Sequence, residues 1–174
     1  LKGRIVPIAM DEWNYWHREY TFGELGCAYD LADALGIAAA LHEYFRQSDI
    51  IQMAHYAQTV NVIGAIKTSK TAAEMETTGL VLQMYRAHFS QTPIKIAQDF
   101  APLDVAAALT ADGKALTVAI VNPTEKTVAL PLALTGIQPA GPASRWLIGG
   151  PDERAVNIPG QPRRIDIVQA DGLD

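Results

Sequence analysis

Apolar residues follow two different rhythms along the chain, and the change comes at Pro93. Near the start, Ile5, Val6, Ile8, Ala9 and Met10 form an almost unbroken apolar run, the pattern of a parallel strand covered on both faces. Asp30 stands where its side chain can accept from the free N–H groups of a following helix. Leu31, Ala34, Leu35, Ala38, Ala39, His42 and Phe45 then recur at helical spacing, and Arg46 suits the negative pole of that helix. Ile50, Ile51 and Met53 open the next strand, which completes a β-α-β unit. A second helix is predicted to begin near Thr77, capped by its hydroxyl, with Leu80, Val81, Met84, Tyr85 and His88 on one side. Lys67 to Glu76 is polar and lacks periodicity, so it is read as the loop before that helix.

Beyond Pro93 the alternation is that of strands. Ile94 to Phe100, Leu103 to Thr110 and Ala115 to Val121 are predicted strands, with Asp112-Gly113 as the turn between the last two. Asn122-Pro123 breaks the next junction, Thr127 to Leu134 continues, and shorter strands are expected at Ser144 to Ile148 and Arg163 to Val168. Gly- and Pro-rich links at Gly136 to Pro142 and Gly149 to Pro162 fit surface loops. The expected organisation is therefore an α/β part over residues 1–92 and an antiparallel β-sandwich over residues 93–174.

An apolar fraction of 49% over 174 residues is enough for a sizeable core in one domain or two small ones. A net charge of −5 with no basic cluster argues against a nucleic-acid partner, because phosphate binding needs concentrated Lys and Arg. No stretch approaches the roughly 18 uninterrupted apolar residues of a membrane span, so no membrane partner is expected. Cys27 is the single cysteine and cannot form an internal disulfide. His17, His42, His55 and His88 lack ligand spacing, and His42 is read as a core or rim histidine; no metal and no cofactor is expected.

The chemistry concentrates in DEWNYW, Asp11 to Trp16, directly after the first strand. Two acids at the C-terminal end of a parallel strand lie where a β/α barrel keeps its catalytic groups. A carboxylate among Trp13, Tyr15 and Trp16 suits a sugar, whose C–H faces stack on aromatic rings while its hydroxyls bond to Asn14. DEWNYW, GELG at Gly23 to Gly26, the run from Asp33 to Ile50 and the run from Met53 to Thr68 together resemble the final part of the catalytic barrel of family fifty-one glycoside hydrolases, the α-L-arabinofuranosidases. DERAVN, Asp152 to Asn157, resembles a late segment of the β-sandwich that follows the barrel in that family.

This resemblance implies the last two β/α units of a (β/α)8 barrel followed by an antiparallel β-sandwich, a fragment of a larger enzyme. It implies that Glu12 is the nucleophile of a retaining glycosidase, whose two carboxyl groups stand about 5 to 5.5 Å apart. The acid/base partner of the family belongs to an Asn-Glu pair that these residues lack, so it is expected ahead of Leu1 with the rest of the barrel. Trp16 matches an aromatic lining the sugar site and Gln58 a polar residue contacting the sugar, with Asn14 beside them; Asp11, Asn14 and Asn61 are expected to orient Glu12 and the nearby loops. The implied partners are an arabinose-containing oligo- or polysaccharide, the missing N-terminal part of the barrel, and further copies in a homo-oligomer, with a cytoplasmic location favoured. The family also commonly has another closing strand, so the sandwich is expected to be incomplete or closed from outside this chain. Two other readings compete: the same fold acting on β-glucans or xylosides, and a non-catalytic carbohydrate-binding or assembly fragment.

Overall fold

The computed structural model describes residues 3–17, 26–136, 138, 140–141 and 143–171. Strand β1 (Ile8–Trp13), helix α1 (Leu31–Arg46) and strand β2 (Ile51–Tyr56) form the expected β-α-β unit, with β1 and β2 parallel in the register Ile8↔Ile51 to Trp13↔Tyr56. Then come a short antiparallel hairpin, β3 (Ile66–Thr68) and β4 (Ala73–Met75), and helix α2 (Thr77–His88). The rest is antiparallel: β5 (Thr92–Ile94), β6 (Asp104–Leu109) and β7 (Leu116–Val121) form one sheet, and β8 (Ser144–Gly149) and β9 (Asp166–Asp171) another. The described residues thus make a β-rich chain with two helices.

Helix α1 starts at a reciprocal capping box, in which Asp30 accepts from the Asp33 N–H and Asp33 accepts from the Asp30 N–H. Its next two unpaired N–H groups, on Leu31 and Ala32, reach carbonyls of Ala155 and Glu153 at 3.1 and 3.0 Å. Arg154 closes the same corner with an ion pair to Asp30, 3.0 Å long. The DERAVN segment is therefore the cap of a helix that begins more than a hundred residues earlier.

Ala34, Ile37 and Ala38 of α1 meet Val81 and Tyr85 of α2 and Val121 of β7 in the main core. Each fully buried side chain of the size of Ile37 stabilises by about 1.5–3 kcal/mol. His42, fully buried on the apolar stripe, is the satisfied core histidine that its position suggests. Its Nδ1 is 2.8 Å from Asp104 Oδ1 and its Nε2 2.5 Å from the Tyr85 hydroxyl, so one imidazole joins both helices to β6. Asp112-Gly113 makes the predicted turn, with Gly113 at φ +69°.

Several expectations are corrected. The first strand is not covered on both faces among the described residues, since Ile8 of β1 is 42% exposed and Ile5, ahead of the strand, 81%. The stretch from Lys67 to Glu76 is a hairpin rather than a loop; its strands are three residues long, too short to show alternation, and Ser69 closes its turn by bonding to Ala72. Helix α2 has Glu76, not Thr77, at its N-cap, because the Thr77 hydroxyl donates to the carbonyls of Tyr29 and Asp30. The strand expected over Ile94 to Phe100 is confined to Thr92–Ile94. Thr127 to Leu134 forms no strand; Pro131 lacks the N–H that a ladder needs, and Val128, Leu132 and Leu134 stay exposed. The last strand starts at Asp166 rather than Arg163, because Arg164 and Ile165 donate their N–H groups to Asn157 Oδ1 instead of to a neighbouring strand.

Candidate functional site

Parallel strands end on the same side of a sheet, so the segments following β1 and β2 lie side by side. Glu12 is exposed near the end of β1, and Gln58 follows β2 by two residues. The Ala57 N–H donates to the Trp13 carbonyl at 3.0 Å, which carries the strand pairing to the point where both loops begin. Trp16 is 58% exposed in the loop after β1. Trp13 turns the other way, its ring packed edge-on against Tyr44 and Tyr56 with centroids 5.0 and 5.4 Å apart, so it belongs to the core rather than to an aromatic wall. Tyr15 is exposed, with its hydroxyl over Gly36, where a β-carbon would overlap it.

The loop after β2 is strained. Gln58, Asn61 and Val62 all adopt left-handed backbone angles, with φ of 58°, 57° and 48°. For a β-branched residue such as Val62 this conformation costs on the order of 1–3 kcal/mol and persists only where the surroundings over-determine it. They do so here. The Val62 carbonyl accepts from the Cys27 N–H at 2.8 Å and from Lys67 Nζ at 3.2 Å, and Asn61 Oδ1 accepts from the Thr68 N–H at 2.9 Å. Gly26, at φ +75°, lies so close that a β-carbon on it would overlap the Val62 backbone. Gln58 Oε1 accepts from the Ile63 N–H at 3.3 Å, bracing the same turn.

Asn14 bridges the two loops. Its amide donates to the Ile63 carbonyl at 2.7 Å and to the Tyr29 hydroxyl at 2.9 Å, while its Oδ1 accepts from the Tyr15 N–H at 2.7 Å. Both of its amide hydrogens are thus spent inside the protein. Asn61, through Thr68, anchors the β2 loop to β3. Asp11 is exposed on β1, and Glu24 of the GELG motif lies outside the described residues.

Beneath the loops lies a buried polar floor that sequence reasoning missed: Tyr29, Lys67 and Glu76, each less than 5% exposed. Glu76 Oε2 accepts from the Tyr29 N–H at 3.1 Å, and the Lys67 ammonium sits 5.2 Å from the Tyr29 ring centroid. Burial pushes the Glu76 carboxyl up to about 7, against the opposing influence of the Tyr29 N–H and of Lys67. Burial likewise lowers Lys67 and raises the Tyr29 phenol, which therefore keeps its proton at any ordinary pH. The available signal was an acid directly ahead of the helix start at Thr77, favourable at the positive pole of α2; a long polar stretch around it hid this placement.

A carboxyl whose folded value lies above its unfolded one stabilises fully below the unfolded value and loses that contribution as pH rises through the folded one. Glu76 should therefore weaken the folded protein progressively as pH climbs from about 4.5 through about 7. Thermal melts of the complete protein between pH 5 and 8 should show Glu76→Gln gaining on the parent as pH rises. A constant difference across that range would remove Glu76 as the titrating group.

Residues 11–174 match the family model described as the alpha-L-arabinofuranosidase C-terminal domain. The chain is 30% identical over 174 aligned residues to probable alpha-L-arabinofuranosidase C of Aspergillus niger, covering 88% of this chain and 34% of that protein. It is 29% identical to alpha-L-arabinofuranosidase C of Emericella nidulans, over 91% of this chain and 34% of the relative. The thermostable GH51 alpha-L-arabinofuranosidase of Thermotoga petrophila superposes with a TM-score of 0.81 at 30% identity, over 97% of this chain and 39% of that one. The Thermotoga maritima enzyme, solved as an arabinose complex, gives 0.81 at 28% identity over 95% and 38%. The chain spans about a third of the length of the curated relatives it matches.

Proposed function

The chain belongs to the α-L-arabinofuranosidase C-terminal domain family, and from that premise we propose that, within its complete protein, it supplies the nucleophile half of a retaining glycoside hydrolase. The substrate would be a terminal α-L-arabinofuranosyl group on arabinan, arabinoxylan or their oligosaccharides. The observation that carries this reading is that Glu12 and Gln58 sit at the C-terminal ends of two adjacent parallel strands. In a β/α barrel that end holds the catalytic groups.

On this reading residues 1–92 are the last two β/α units of a (β/α)8 barrel and residues 93–174 a β-sandwich. The uncovered apolar side chains of β1 are where preceding barrel strands would pack. The Glu12 carboxylate attacks the anomeric carbon as a second carboxyl, carried elsewhere in the complete protein, protonates the departing oxygen. Water then releases the sugar from the glycosyl-enzyme ester, with the second carboxyl acting as base. Trp16 offers an exposed ring for a sugar face. Gln58 bonds hydroxyls without adding charge, and Asn14 contributes through its Oδ1 and by tying the two loops together. The complete assembly is proposed to be a homo-oligomer.

Chromogenic arabinofuranoside, glucoside and xyloside assays on the complete protein test the reading, with turnover of the arabinofuranoside expected to dominate. Preference for either of the others would overturn it. In the same assay Gln58→Ala should weaken kcat/KM by roughly 1–3 kcal/mol while the shape of the pH profile stays the same, since an amide does not titrate. An unchanged rate with a lower thermal midpoint would leave Gln58 only its turn-bracing bond to Ile63.

A further inference from the structure

The chain leaves the parallel ladder immediately after Trp13, so from Asn14 onward side-chain bonds decide where the loop beyond Glu12 goes. Two of them meet at a single oxygen. The Tyr29 hydroxyl accepts from Asn14 Nδ2 at 2.9 Å and donates to the Tyr15 carbonyl at 2.8 Å. One phenol proton and one accepted bond fill its place in this corner. Tyr29 is itself immobilised: its side chain is fully buried, its N–H donates to Glu76, and its carbonyl accepts from the Thr77 hydroxyl at 3.0 Å. Both backbone bonds end on residues at the start of α2. A rigid post thus runs from the first turn of α2 to the loop that follows Glu12.

We propose that Tyr29 is a positioning residue for Glu12, holding the β1 loop from below through Asn14 and Tyr15 and, through Asn14, locking it to the loop that carries Gln58. The inference rests on Glu12 being the nucleophile. Attack on an anomeric carbon tolerates little misplacement, because a shift of about 1 Å can cost on the order of a hundredfold in rate. Removing the hydroxyl leaves the Tyr29 ring in the core yet strands an Asn14 N–H and the Tyr15 carbonyl together, which frees the loop to drift.

The test uses the complete enzyme with an aryl arabinofuranoside. Tyr29→Phe should lower kcat by about 10- to 100-fold with a much smaller change in KM. Asn14→Leu should also lower kcat, and the double variant should be little worse than the poorer single one, since the Asn14–Tyr29 bond is lost in both. If Tyr29→Phe does not accumulate as folded protein, Asn14→Leu takes its place: a loss confined to kcat is the expected result, and a loss confined to KM would put Asn14 on the sugar and overturn the inference. A normal kcat in folded Tyr29→Phe or, failing that, in Asn14→Leu, or full additivity of the two losses, would overturn the inference. Normal turnover by Glu12→Ala would instead sink the catalytic reading on which it rests.

Discussion

Glu12→Ala in the complete enzyme should lower turnover by several orders of magnitude, each factor of ten corresponding to about 1.4 kcal/mol of barrier. Glu12 stands exposed near the end of β1, where its carboxylate is free of the commitments that hold the buried acids of this region. Among the described residues, two nearby carboxylates are committed elsewhere: Glu76 accepts from the Tyr29 N–H, and Asp33 closes the capping box of α1. Azide should partly restore turnover by entering the vacated space, and the product should be the glycosyl azide of inverted configuration. Near-normal turnover without azide would end the assignment.

The second large effect concerns the chain by itself. Purified residues 1–174 should show no arabinofuranosidase activity, because hydrolysis with retention needs two carboxyl groups and the proposed site has one on this chain. Adding the remaining part of the polypeptide should restore activity if the pieces associate. The exposed Ile5, Val6 and Ile8 give that association an apolar surface. Robust turnover by residues 1–174 alone would refute the idea of a divided site.

Periodicity and local chemistry made much of this structure legible in the sequence. The helix behind Asp30 is there because capping and a 3.6-residue apolar repeat agree, and the Asp112-Gly113 hairpin because turn chemistry and alternation agree. What escaped was set by distant partners. Tyr29 looks like an ordinary aromatic ahead of a helix, and its bonds depend on Glu76 and on the Asn14-Tyr15 pair arriving from two other segments. Trp13 belonged by proximity to the aromatic cluster of DEWNYW, but strand alternation sends it inward to Tyr44 and Tyr56. The hairpin at Ile66–Met75 is held by a turn at Ser69 and by anchoring of Thr68 to Asn61, neither of which leaves a periodic trace.

The capping of α1 by the Asp152–Asn157 segment also sets an order of events during synthesis. Asp30 and Arg154 are 124 residues apart, so at ribosomal speeds of about 5–20 residues per second the first turn of α1 waits roughly 6 to 25 s for its carbonyl partners. Through that interval the helix leading away from Tyr29 has its capping box but not its outer lid. The nascent chain must therefore carry an open-ended α1 until the Asp152–Asn157 segment emerges, and synthesis halted before Ala155 would leave the Leu31 and Ala32 N–H groups without these carbonyls.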